Sequence, residues 1–122
     1  MTILIVDDNS TFLMLFKLYA ENFTQFEFVY AHSGEEALNI IENDKIGKID
    51  LIVSDVRMPL MSGIELSQIV NIRYPKIPIL LITGWELTYF SKKDLIFSIK
   101  LLSKDIGIDG ILEEIKIFYE TN

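Results

Sequence analysis

Four short apolar blocks, Ile3-Leu4-Ile5-Val6, Phe26 to Ala31, Leu51-Ile52-Val53 and Ile79 to Ile82, recur along the chain with longer segments of helical period between them. A strand with one wet face alternates apolar and polar residues, whereas a nearly continuous Ile/Leu/Val run is buried on both faces. Such strands need helices above and below them, and the strand–helix alternation supplies those, so the chain is expected to be α/β with a parallel sheet. Half of the 122 residues are apolar, enough for the core of one domain over residues 1–122. No internal repeat, low-complexity tract or Pro/Gly/Ser linker marks a second one.

The helical segments carry their own signals. Phe12, Leu15/Phe16, Tyr19 and Phe23 recur at three- and four-residue steps with Lys17 and Glu21 off the stripe, which reads as an amphipathic helix. Ser33-Gly34-Glu35-Glu36 and Ser62-Gly63-Ile64-Glu65 both fit a capping box and mark the next two helix starts. Pro75 and Pro78 end the second of these before the Ile79 strand. In the last helix Ile108, Ile111/Leu112, Ile115 and Phe118/Tyr119 form one face, and Glu113, Glu114, Lys116 and Glu120 the other. Between Trp85 and Ser103 a fourth helix and a fifth strand are expected, the strand being either Leu95 to Ile99 or, preferably, Ile99 to Ser103.

Charge and composition exclude several classes. Eighteen acidic residues against eleven basic ones give a formal charge of −7, and no Lys/Arg stripe overrides it, so neither nucleic acid nor an anionic membrane surface is an expected partner. Without cysteine there is no disulfide framework, thiolate metal site or cysteine nucleophile. No apolar run approaches the length of a membrane span, and Asp7-Asp8 interrupts the first apolar block at once, which is not a signal-peptide pattern. The expected address is the cytoplasm.

Asp7-Asp8 directly follow the first strand and Asp55 the third. Open α/β sheets place their sites at the carboxyl ends of the strands, so neighbouring strands would bring three carboxylates together. Two such charges 4 Å apart repel by about 4 kcal/mol at an effective dielectric of 20, and a hard, oxygen-seeking cation such as Mg²⁺ relieves that repulsion while leaving positions open for a phosphate oxygen. The plainer explanation of Asp7-Asp8-Asn9-Ser10 is a helix cap, and that of Thr83-Gly84 a strand-to-turn ending. His32, with no second His or Cys nearby, reads as structural.

What raises these residues above common turn chemistry is the string Asp55-Val56-Arg57-Met58-Pro59-Leu60-Met61-Ser62-Gly63, taken with Ile3 to Asn9, Ile82-Thr83-Gly84 and Lys104. Over essentially its whole length the chain resembles a response-regulator receiver domain, the phosphoacceptor half of two-component signalling, of the single-domain chemotaxis-regulator type. The resemblance implies a flavodoxin-like, doubly wound five-stranded parallel sheet of order 2-1-3-4-5 with helices on both faces. It makes Asp55 the phosphoacceptor, with Thr83 and Lys104 contacting the phosphoryl group. Mg²⁺ would be held by Asp8 directly, Asp7 through water, Asp55, and the backbone carbonyl of Arg57. The phosphoryl donor would be a sensor histidine kinase or phosphotransfer protein, and the output a downstream protein target or a homodimer.

The chain also departs from the family pattern. Lys104, or Lys100 if the earlier strand is correct, is followed not by proline but, at Lys104, by Asp105, which stands to keep that peptide trans and to compete for the lysine's charge. Leu101 occupies the place where the family carries a switching aromatic, and Phe97-Ser98 replace a Gly-Ala pair. Arg57 and Trp85, each two residues beyond a site residue, are expected to flank the pocket mouth. A degenerate receiver serving as an interaction or dimerisation module is therefore the alternative. An independent aspartate-nucleophile phosphatase is disfavoured, because Arg57 stands where such enzymes carry an acid/base aspartate.

Overall fold

The computed structural model describes residues 1–43 and 48–122. Its strands are β1 (Thr2–Val6), β2 (Glu27–Ala31), β3 (Leu51–Asp55), β4 (Ile79–Thr83) and β5 (Lys100–Ser103); its α-helices are α1 (Ser10–Ala20), α2 (Gly34–Glu42), α3 (Gly63–Arg73), α4 (Lys92–Leu95) and α5 (Gly107–Thr121). All strand pairs are parallel and the sheet order is β2-β1-β3-β4-β5, as the resemblance implies.

Side-chain alternation divides the core in two. Ile3, Ile5, Leu51, Val53, Leu80, Ile82 and Leu102 face one cluster with Leu13 and Phe16 of α1 and Ile111, Leu112 and Ile115 of α5. Leu4, Val6, Ile52, Ile79 and Leu81 face the other, with Ala37, Leu38 and Ile41 of α2 and Leu66 and Val70 of α3. Every residue of β3 and β4 is buried, which is why those segments lack a polar alternation.

Three sequence expectations need correction. In α1 the buried stripe is Leu13, Phe16 and Ala20, while Leu15 and Tyr19 are exposed; apolar residues surround this helix almost completely, so their period could not single out the inward face. At α2 only half of the capping box forms: Ser33 Oγ accepts from the Glu36 N–H, but Glu36 Oε1 accepts from the His32 N–H instead of returning to Ser33. At α3 both halves form. The fourth helix is a single turn, begun by a Ser91–Asp94 capping box and preceded by a 3₁₀ turn over Leu87–Tyr89. The later choice for the fifth strand, Ile99 to Ser103, matches the structure to within one residue.

Candidate functional site

Register brings the acidic residues together. Val6 pairs with Ser54, so Asp7 and Asp55, the next residue on each of two adjoining strands, come level at the carboxyl edge of the sheet. Carboxylate oxygens of Asp7, Asp8 and Asp55 all lie within 4.8 Å of one another. Asp7 and Asp55 are buried, as is Thr83 at the end of β4, whereas Asp8 is exposed. Asn9 does the capping: its side chain accepts from the Phe12 N–H, and its own N–H donates to Asp7 Oδ1. The cap and the carboxylate cluster thus coexist in one tetrapeptide.

Lys104 continues β5 and enters this cluster. Its Nζ lies 2.7 Å from Asp7 Oδ2 and 3.4 Å from Asp55 Oδ1. Lys100 points elsewhere, pairing with Glu114 of α5 at 3.2 Å. Asp105 does not take the ammonium; its N–H is held by Ser103 Oγ in a 3₁₀ turn over Lys104–Ile106, and the described residues contain no cis peptide.

Burial pushes the Asp55 carboxyl up to about 6 from its ordinary 3.8, the negative charge of Asp7 and, more weakly, Asp8 adding to the rise while Lys104 restrains it. For Lys104, burial disfavours the charge, but the hydrogen bond from its ammonium to Asp7 and the nearby Asp55 and Asp7 carboxylates outweigh burial, and the net shift is upward. An ammonium and a set of hard oxygen donors therefore share one pocket. The donor set suits a hard divalent ion such as Mg²⁺.

The loop after Asp55 is shaped by Gly63, where a Cβ would overlap the Asp55 carbonyl oxygen; only glycine lets the N-terminus of α3 approach that closely. Met61 packs over Gly34 of α2, tying the same end of the loop to that helix. Just before Met61, Leu60 has φ 67° and is 98% exposed. A left-handed leucine costs about 1–2 kcal/mol, and this one recovers nothing by burial. Leu60→Gly is expected to raise stability by roughly 0.5–1 kcal/mol after glycine's greater chain entropy is counted, read as a higher urea midpoint; an unchanged or lower midpoint contradicts the strain.

Two residues beyond Asp55, the Arg57 guanidinium carbon lies 3.8 Å from the centroid of the Trp85 ring, and Trp85 meets Tyr89 edge-on at 4.7 Å. The backbone N–H of Trp85 donates to Thr83 Oγ1, which leaves the threonine hydroxyl proton free to donate. Leu101 is half-buried on β5. His32 is exposed beside Glu36 and is not among the clustered ligand atoms. Sequence reasoning missed Phe12, whose ring centroid lies 4.5 Å from Lys104 Nζ; it had counted only as part of an apolar stripe.

Comparison with known proteins identifies the family. Residues 3–116 match the family model described as the response regulator receiver domain. The alkaline phosphatase synthesis transcriptional regulatory protein PhoP of Bacillus subtilis is 34% identical over 110 residues, which cover 90% of this chain and 40% of PhoP. The receiver domain of the Francisella response regulator 1452 superposes with TM-score 0.84 at 26% identity, covering 98% of this chain and 97% of that one. TrrA of Thermotoga maritima, in complex with Mg²⁺-BeF, gives TM-score 0.75 at 27% identity over 94% and 96% of the two chains. The matched stretches span from about a tenth to two-fifths of the first curated relatives. No helix among the described residues is long and apolar enough to cross a membrane. This chain belongs to the response-regulator receiver family.

Proposed function

We propose that Asp55 accepts a phosphoryl group from the phosphohistidine of a sensor kinase or phosphotransfer protein, and that the resulting acyl phosphate switches the affinity of this chain for a protein target or a second copy. A carboxylate oxygen of Asp55 bonds to phosphorus as the P–N bond breaks, and the imidazole nitrogen keeps that bond's electron pair. Such a transfer asks the protein chiefly to position groups and neutralise charge. Lys104 brings a compact positive charge within reach of the attacking carboxylate, and the Thr83 hydroxyl can donate to a phosphoryl oxygen. Asp8, Asp55, the Arg57 carbonyl and, through water, Asp7 would hold Mg²⁺, which supplies charge neutralisation at the phosphoryl oxygens when bound. The single observation carrying this reading is the convergence of Asp7, Asp8, Asp55 and Lys104 at one sheet edge.

The degenerate alternative drew its support from Asp105 after the lysine, Leu101 in place of the switching aromatic and Phe97-Ser98 in place of a Gly-Ala pair. A lysine that contacts both buried carboxylates favours the phosphoacceptor instead. The test is incubation of the protein with Mg²⁺ and a small phosphodonor, read by intact mass. One phosphoryl group is expected, absent in Asp55→Asn and absent with chelator; labelling that survives Asp55→Asn overturns the assignment.

The Arg57–Trp85 stack joins two residues that each lie two beyond a site residue, Asp55 and Thr83, and would restrict the approach of water to the acyl phosphate. Opening it by Trp85→Ala removes a contact of about 0.5–1 kcal/mol at a partly exposed site, so hydrolysis of the phosphorylated form is expected to quicken by about two- to five-fold. The decay of the labelled mass after the donor is removed measures this, and an unchanged half-life removes the gating role.

A further inference from the structure

Lys104 reaches the acidic cluster with its side chain from the end of β5. It follows the last strand residue, opens a single 3₁₀ turn and remains 23% exposed. On one side of its ammonium stand Asp7 and Asp55; on another stands the ring of Phe12. The strand alternation explains the meeting, because Asp7, Asp55 and Lys104 continue the Ile3-Ile5, Leu51-Val53 and Leu102 rows that face α1 and α5. Phe12 is in turn placed by the site itself. Asp7 Oδ1 holds the Asn9 N–H, Asn9 Oδ1 holds the Phe12 N–H, Phe12 meets Lys104, and Lys104 returns to Asp7 Oδ2. This circuit closes on one carboxylate. Behind the ring, Phe16 packs at 6.0 Å and is itself fully buried.

We infer that Phe12 is a positioning residue for the phosphoryl-transfer site: the face of its ring holds the Lys104 ammonium over Asp7 and Asp55, using the ring's quadrupole and not merely its bulk. The inference rests on the phosphoacceptor reading for its consequence, but the placement of Lys104 is a property of the resting protein. A cation within about 6 Å of an aromatic face is attracted to it, more strongly as water is excluded. An aliphatic residue of similar size would fill the space and leave the ammonium free to rotate toward solvent.

The test uses the full chain with Phe12→Leu, Phe12→Tyr, Phe12→Trp, and site-specific fluorinated phenylalanines at position 12 that keep the shape while weakening the quadrupole. In the resting protein, NMR is expected to find the Lys104 Cε protons shifted upfield by the Phe12 ring, the shift vanishing in Phe12→Leu and shrinking along the fluorinated series. Labelling of Asp55 by a small phosphodonor is expected to fall about five-fold in Phe12→Leu, to be retained in Phe12→Tyr or Phe12→Trp, and to decline steadily with fluorination. In a Lys104→Met background the same changes at position 12 are expected to have no further effect. Absence of the upfield shift in the parent protein overturns the inference, as does a flat fluorinated series or an equal loss without Lys104. If the parent protein takes no label on Asp55, the phosphoacceptor reading fails while the resting-state spectra still decide where Lys104 is held.

Discussion

Asp55→Asn is expected to stabilise the protein at pH 7, in the absence of divalent ions, by roughly 2–3 kcal/mol, an unusually large gain from removing one carboxylate. The cause is the buried carboxyl that ionises near 6 in the fold and near 3.8 in an ordinary setting. Between those values the folded state binds more protons than the unfolded chain, so stability falls as pH rises through that window and levels off above it. The asparagine variant has no such slope from this position. The two proteins should therefore be nearly equal in this contribution at pH 4 and furthest apart above pH 6.5. Urea unfolding across pH 4–8 measures the gap. Added Mg²⁺ is expected to narrow it, because binding to the folded acidic pocket stabilises the parent protein in proportion to RT ln(1 + [L]/Kd). An asparagine variant no more stable than the parent at pH 7 would mean that neither burial nor the Asp7 charge disfavours the ionised Asp55 carboxyl. The same shift bears on reactivity, since the attacking carboxylate must be ionised.

The apolar blocks located the sheet but stopped short of the chemistry. Leu51 to Val53 and Ile79 to Ile82 are apolar, yet the ladders run on through Ser54, Asp55 and Thr83. These polar residues are paired in the sheet and buried, and apolar periodicity alone ends one or two residues before them. Motif spacing filled that gap, because adjacent strands of known order turn separate strand ends into one cluster. Where both guides were weak, the reading lost detail. From Glu86 to Ile99 no helical stripe competes with the local Ser91–Asp94 cap, and one turn of α4 forms where a full helix was expected. The outward side of α1 illustrates the opposite problem: Met14, Leu15, Leu18 and Tyr19 are all exposed, so apolar character there carried no information about burial. Phe12 was legible only as core, because a contact between a helix ring and a lysine more than ninety residues later depends on the register of β5.

Lys104→Met is expected to separate two properties that most pocket mutations damage together: phosphoryl transfer to Asp55 falls about a hundred-fold while Mg²⁺ binds several-fold more tightly. The loss follows from removing a charged donor aimed at developing negative charge, a change worth about 2.7–4 kcal/mol in comparable acyl-transfer sites. The gain in ion affinity follows from the ground state. The ammonium occupies Asp7 Oδ2 at 2.7 Å and approaches Asp55 at 3.4 Å, so an arriving dication meets a pocket already partly neutralised and must compete with it. With methionine at 104 the carboxylates face one another unscreened, each close pair costing about 4 kcal/mol at an effective dielectric of 20, and binding of the ion relieves that repulsion directly. Titration calorimetry measures the affinity and intact mass the transfer. Lys104→Arg keeps the charge but exchanges a compact ammonium for a planar fork, so it should restore the weaker ion binding more fully than the transfer rate. Tighter Mg²⁺ binding with unimpaired transfer would assign Lys104 to resting-state neutralisation alone, and weaker Mg²⁺ binding in Lys104→Met would show that the lysine organises the acidic cluster instead of competing for it.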